Sequence, residues 1–251
     1  MIHSTAIVSP QANIGSNVSI GAYSIVHANV TIGDNTEVGS YSELGIFTKL
    51  AKNNTLEIGS NSIIRSHAVI YCGSFIGSNF HTGHHVSIRE NSQIGEFCQI
   101  GSRCDIQGDC IIGKYTKMHA DVHIGKKSKI GNYVWLFPEV LLTNDPTPPS
   151  ENLIGVTIED FSVLAAKVLV LPGVTIGKDT VIAAGSVVKD DVGEGKVASG
   201  NPSRVTCDAK ILRMHDNPKN KAYPWRNRFH RGYSEQDVMS WLEALQQEKL
   251  K

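Results

Sequence analysis

The sequence predicts an all-β, parallel β-helix of triangular section, and three observations predict it. Aliphatic residues recur at every sixth position, and small or β-branched residues recur four places after them. The composition also suits a narrow core, with 23 glycines and only 7% aromatic residues in 251. A six-residue period with short strands and tight corners marks a solenoid whose repeats bury their apolar faces against one another.

The aliphatic series opens at Ile2, Val8, Ile14 and Ile20 and runs in phase to Leu44. After a break over 45–57 it restarts at Ile58 and continues to Leu142, with Thr82 and Met118 as the departures. After a second break, over 143–155, it runs from Ile158 to Val188, so that 27 of 29 hexads open with Ile, Leu or Val. Glycine often follows the aliphatic, as at Gly15, Gly33, Gly95, Gly101, Gly125 and Gly177, and is read as supplying the positive φ of a tight corner. Val18, Ser24, Thr36, Ser62, Ala68 and Ser128 are among the small residues expected to point inward. Cys98, Cys104 and Cys110 fill that same slot in consecutive hexads and read as interior filler. Five cysteines without a CxxC pair argue against a disulfide framework or a zinc ribbon.

Of the two breaks, 45–57 reads as a connector and 143–155 as an ordered external loop stiffened by Pro146, Pro148 and Pro149. The β-helix is expected over 1–205 and a helical tail over 206–251. In the tail, Ser234 and Asp237 read as an N-cap and a first-turn acid, with Val238, Trp241, Leu242 and Leu245 on one helical face. The basic and aromatic stretch 223–233 reads as a packing surface, with contact to a nucleotide or phosphate as the alternative.

Charge excludes further classes. Lys+Arg and Asp+Glu both number 24, with no basic stripe, which argues against a nucleic-acid binder. No apolar run approaches the ~18 residues of a membrane span. The N-terminus has neither the charged nor the apolar region of a secretory signal, so the cytoplasm is the expected compartment.

The hexads 14–18 and 32–36 and the segment 171–177 resemble the hexapeptide-repeat, left-handed β-helix acyltransferases, and the resemblance runs from Ile2 to Arg204. It implies three hexads per coil, a left-handed superhelix, a homotrimer with active sites between subunits, and acetyl-CoA as co-substrate without a metal. Segments 79–89 and 135–149 resemble the branch that N-acetylates nucleotide-linked amino sugars, such as the dTDP-3-amino-3,6-dideoxyhexose N-acetyltransferases. By that resemblance Glu139, Asn144 and Asp145 meet the sugar and its amino group, with Glu139 standing where asparagine is frequent. His84, third in its hexad, is the first candidate for general base, with His119 and His123 as rivals. His85, Arg89 and Asp121 are candidate substrate contacts. Coenzyme A would lie along the C-terminal coils, where Ala166 and Ala184 leave room for its pantetheine arm and Lys189, Asn201 and Arg204 lie near its phosphates.

The implied chemistry is direct attack on the thioester. An amine must lose its proton before attack, whereas a hydroxyl needs a base during it, so positioning can supply much of the rate for an amine. A backbone N–H at a coil corner is the expected oxyanion donor. Residues eighteen apart should stack, which places His67, His85, Arg103, Asp121 and Glu139 in one outward column. The alternatives are O-acetylation of a sugar or antibiotic hydroxyl, a metal hydratase resembling γ-class carbonic anhydrases, and a non-catalytic scaffold. Against the hydratase, Lys117 and Asp121 stand two coils after His81 and His85, where histidines would be needed.

Overall fold

In a computed structural model, which describes residues 1–249, the hexads form a parallel β-solenoid with three flat faces. The first face runs from Ile7–Val8 to Val187–Val188, the second from Asn13–Ile14 to Thr175–Ile176, and the third from Ser19–Ile20 to Val181–Ile182. The third face ends in an antiparallel hairpin, Lys196–Gly200 with Ser203–Asp208. Strands pair with those one coil away, so Ile88 lies beside Ile106 and Ile106 beside Ile124. This is the architecture of the left-handed β-helix class that the sequence predicts, and its first face carries ten strands, one per coil.

The aliphatic of each hexad fills the interior. Ile70, Ile88, Ile106 and Ile124 are fully buried and belong to one continuous core cluster. The small residues four places on point inward as expected, and their polar atoms are satisfied. Ser24 Oγ donates to the Gly39 carbonyl at 2.9 Å, Ser62 Oγ to Gly59 at 2.7 Å and Ser128 Oγ to Gly125 at 2.7 Å. Cys104 does the same through sulfur, 3.0 Å from the His119 carbonyl. Burial pushes the Cys98 thiol up to about 12 and those of Cys104 and Cys110 up to about 11, which suits inert filler. Phe80 is the only aromatic among the buried members of this main cluster.

The structure corrects the reading of the corner glycines. The positive φ lies two residues beyond them, at Asn17 (57°), Asn35 (55°), Phe97 (58°) and Tyr133 (59°), among others. Gly15, Gly33 and Gly95 are not in that conformation. What they supply is clearance between coils: a Cβ on Gly33 would stand 2.5 Å from the Ser60 backbone nitrogen, and one on Gly95 2.6 Å from that of Lys114. Asparagine suits the left-handed position through its local hydrogen bonding. The aromatic residues that share it must gain their stability elsewhere.

They gain it by stacking. At the corner between the second and third faces, Asn17, Asn35, Asn61 and Asn79 give way to Phe97, Tyr115, Tyr133 and Phe161. Their rings stack in sequence at 4.6, 5.2 and 4.8 Å, close to the ~4.8 Å spacing of hydrogen-bonded strands. The C-terminal segment packs on this ladder: Trp225 and Trp241 are buried against it, and Trp225 Nε1 donates to the Phe161 carbonyl at 3.0 Å. Arg226 pairs with Asp179 at the same corner. Ser234 caps the helix Glu235–Lys249 as predicted, its Oγ accepting from the Asp237 amide at 3.2 Å, while Asp237 accepts from Lys114 at 2.8 Å. Trp241 and Leu245 are the buried residues of the predicted helical face.

The break at 45–57 does more than connect. It folds along the corner between the first and second faces, where Thr48 donates to Glu90 at 2.6 Å, Asn91 donates to the Leu50 carbonyl at 3.0 Å, and Lys52 pairs with Asp109 at 3.2 Å. Its attachments therefore lie on coils further along the solenoid.

Candidate functional site

Strand pairing on the first face places Ser87, Asp105 and His123 in one outward row. His123 Nδ1 lies 3.1 Å from Asp105 Oδ2, and Gln107 Nε2 also donates to Asp105. The hydrogen bond from His123 is the largest influence on Asp105 and, with those from Gln107 and Ser87, outweighs burial to hold its carboxyl below the usual range. An Nδ1 proton given to a carboxylate leaves Nε2 of a neutral imidazole as the acceptor. The two side chains are about a third exposed. This is the local geometry of an oriented general base.

Beside the row, Arg89 spans Glu90 with contacts of 3.0 and 3.2 Å and lies 4.8 Å from the Tyr71 ring centroid. Burial would raise the Glu90 carboxyl, but the hydrogen bonds from Arg89 and Thr48 outweigh it and hold it low. The charge of Arg89, expected to face substrate, is thus already matched by its neighbour. The loop over 143–155 leaves this face directly after Leu141–Leu142, the strand next to His123. Within that loop Asp145 accepts from Thr147 N, Ser150 N and Ser150 Oγ at 3.2, 2.9 and 2.6 Å, so its carboxylate shapes the turn. Asn144 is tied through its backbone, its carbonyl accepting from Ile154 N at 2.8 Å.

The remaining expected residues fall elsewhere. At the corner between the third and first faces, Tyr23, Tyr41, His67 and His85 form a stack of rings 5.2, 5.1 and 4.5 Å apart. The same column continues through Arg103 and Asp121, joined by two hydrogen bonds of 2.7 and 2.6 Å, to Glu139, which lies 3.5 Å from Lys167. The eighteen-residue rule therefore holds, and both His85 and Asp121 are engaged inside the column. His84, next to it, has Nδ1 2.7 Å from Ser66 Oγ rather than a carboxylate. Glu139 precedes the strand Leu141–Leu142 and Asn144 and Asp145 follow it, and Glu139 and Asp145 are each engaged by their own neighbours, Lys167 for Glu139 and Ser150 for Asp145. Ala166 and Ala184 lie at this same corner. His119 is on the third face, stacked 4.7 Å from Phe137. Lys189 and Arg204 both pair with Asp190, at 3.7 and 3.4 Å, and Asn201 begins the cis peptide to Pro202 at the hairpin turn.

Asp105, Gln107 and Ser87 escaped sequence reasoning. Their signal in the sequence is the eighteen-residue spacing of Ser87, Asp105 and His123, which stacks them one coil apart on the first face. Among the described residues no group of three or more His, Cys, Asp or Glu side chains is placed to hold a metal ion. No helix among them is long and apolar enough to cross a membrane.

The pattern described as "Bacterial transferase hexapeptide (six repeats)" matches residues 11–45 and 155–190, near either end of the solenoid. Over these two stretches the chain is similar to the hexapeptide-repeat transferases. Among relatives of this hexapeptide-repeat protein, a galactoside O-acetyltransferase of Lactococcus lactis is 40% identical over 84 residues, 30% of this chain and 41% of the relative. A 2,3,4,5-tetrahydropyridine-2,6-dicarboxylate N-acetyltransferase of Clostridium perfringens is 45% identical over 58 residues, 23% of this chain and 24% of the relative. The matched stretches thus span less than half of these relatives. The solved structure of an Arabidopsis UDP-N-acetylglucosamine acyltransferase aligns over 98% of this chain and 91% of its own, with a TM-score of 0.63 and 24% identity. That likeness is one of fold.

Proposed function

We propose that this hexapeptide-repeat protein transfers an acetyl group from acetyl-CoA to a nucleophile on a sugar-type acceptor, with His123 as the base. The observation that carries the reading is the His123–Asp105 pair, an imidazole fixed at Nδ1 by a carboxylate on an open face. In the proposed reaction the acceptor oxygen or nitrogen attacks the thioester carbonyl carbon while its proton passes to His123 Nε2. The tetrahedral intermediate then collapses, the carbon–sulfur bond breaks, and coenzyme A leaves as the thiol after taking a proton. Asp105 keeps the ring in the required tautomer and stabilises the imidazolium formed on the way.

The amine reading, N-acetylation of a nucleotide-linked amino sugar, rests on the resemblance of segments 79–89 and 135–149, and the homotrimer on the resemblance of the repeats; the cytoplasm is the proposed compartment. In it Glu139 meets the amino group, and coenzyme A runs past Ala166 and Ala184 toward Lys189, Asn201 and Arg204. A second reading, O-acetylation, is favoured by the oriented base itself, because a hydroxyl needs proton removal during attack. The test is incubation with acetyl-CoA and a panel of dTDP- and UDP-amino sugars together with neutral glycosides, following thiol release. Mass spectrometry then separates amide from ester. No thiol release across the panel, with no thermal shift on adding acetyl-CoA, would remove both readings.

A further inference from the structure

On the third face, strand pairing aligns His81, Gln99, Lys117 and Trp135 in an outward ladder. The positions beside the first two rungs are Gly83 and Gly101, which have no side chains, so a channel runs along the ladder with His119 at its upper end. These residues line an open groove of about 430 Å³, within the range of small-molecule sites, roughly 300–1,000 Å³. The C-terminal segment touches two of its lining residues, Lys117 and Trp135, through Tyr233. Tyr233 accepts a hydrogen bond from Trp135 Nε1 at 3.1 Å, and a Cβ added to Gly232, whose φ is 81°, would stand 4.0 Å from the Lys117 ammonium.

Lys117 is half-buried here. Its Nζ lies 4.7 Å from the Trp135 ring centroid and 5.3 Å from that of Tyr233. Aromatic faces hold an ammonium without neutralising it. Neither Lys117 nor Arg231 has a carboxylate partner among the described residues, although the chain carries as many acids as Lys and Arg. Burial lowers the Lys117 pKa and the neighbouring Arg231 charge lowers it further, which marks a spot where positive potential accumulates. His81, whose pKa burial and Arg65 together lower, stands two rungs along, roughly 10 Å away at ~4.8 Å per strand. Gln99 lies between them as a neutral donor.

The geometry points to this groove as a binding site for a sugar-sized molecule bearing one carboxylate or phosphate group. The anion would be held by Lys117 and Arg231, and the body of the molecule would lie along Gly101 and Gly83 with Gln99 and His81 donating to its hydroxyls. The site is on a different face from the His123–Asp105 pair and does not depend on the assignment of that pair as catalytic.

The test is isothermal titration of the full chain with glucose 6-phosphate, glucuronate, inorganic phosphate and glucose. We expect at least one of the two anionic sugars to bind and glucose not to bind. Lys117→Gln and Arg231→Gln should each weaken the anionic sugar at least tenfold with the melting temperature unchanged, and His123→Asn should leave it unaltered. The tighter of the two sugars, together with the response to free phosphate, identifies which anion the site takes. Glucose binding as tightly as the charged sugars, no anionic sugar binding, or wild-type affinity in both cationic variants would overturn the proposal.

Discussion

The Arg226 guanidinium is bound to the Asp179 carboxylate, with Nη2 2.7 Å from Oδ2 and Nε 3.2 Å from Oδ1, and its Cζ lies 4.3 Å from the Phe161 ring centroid. Only 1% of Arg226 and 8% of Asp179 are exposed. Breaking a buried ion pair by removing one partner costs about 3–5 kcal/mol. Arg226→Met should therefore lower the melting temperature and shift tryptophan emission as the C-terminal segment loosens. Asp179→Asn added to it should restore part of the loss, because asparagine tolerates the left-handed φ of 54° at that position. Differential scanning calorimetry of the single and double variants measures both effects.

His123→Asn should lower kcat by about 10²–10⁴-fold if the imidazole takes the acceptor proton. Asp105→Asn should lower kcat with little change in KM, since it disturbs the tautomer and not the surface seen by substrate. His84→Ala should have a smaller effect, because its ring is held by Ser66 and no carboxylate orients it. Steady-state kinetics on the three variants decides the order, and an intact His123→Asn enzyme would remove His123 from the mechanism.

Acid stability follows from the carboxylates held below their usual range. Glu90, Asp105, Asp109 and Asp237 all bind protons less readily in the folded chain than when unfolded. Their contribution is fully present above the unfolded values, about 3.9 for Asp and 4.3 for Glu, and is lost as pH falls through the lower folded ones. Melting temperature should thus fall steadily below about pH 4.3. For Asp109, burial opposes ionisation but hydrogen bonds from Lys52, Lys126 and Asn91 outweigh it, so Asp109→Asn should flatten that fall.

The corner chemistry predicts opposite outcomes at neighbouring positions. Gly33→Ala places a methyl 2.5 Å from the Ser60 nitrogen, and forcing the coils apart costs about 1–3 kcal/mol. Asn35→Gly, at φ of 55°, should be nearly neutral, and Asn35→Ala should cost about 1 kcal/mol because an ordinary side chain is strained there. Urea midpoints of the three variants check the order.

Periodicity alone determined the solenoid, its interior and its stacking columns. With every sixth side chain aliphatic and turned inward, the other geometry follows from the hydrophobic effect and the pleat of a strand. The buried cysteines and the capped C-terminal helix were legible for the same reason, since each depends on residues close in sequence or in phase. The role of the corner glycines was not. A glycine that relieves a contact and one that adopts a positive φ look alike until the next coil is in place. Nor did the sequence show that the aromatics of one corner and those of the tail form a second core, or that Arg226 reaches Asp179. The tertiary structure also distinguishes the surroundings of the histidines: His84, His119 and His123 are chemically alike in sequence, and only coil stacking shows that His123 has a carboxylate at Nδ1. Contacts that repeat can be read from one chain's pattern, whereas a singular pairing depends on which side chains the fold brings within hydrogen-bond reach.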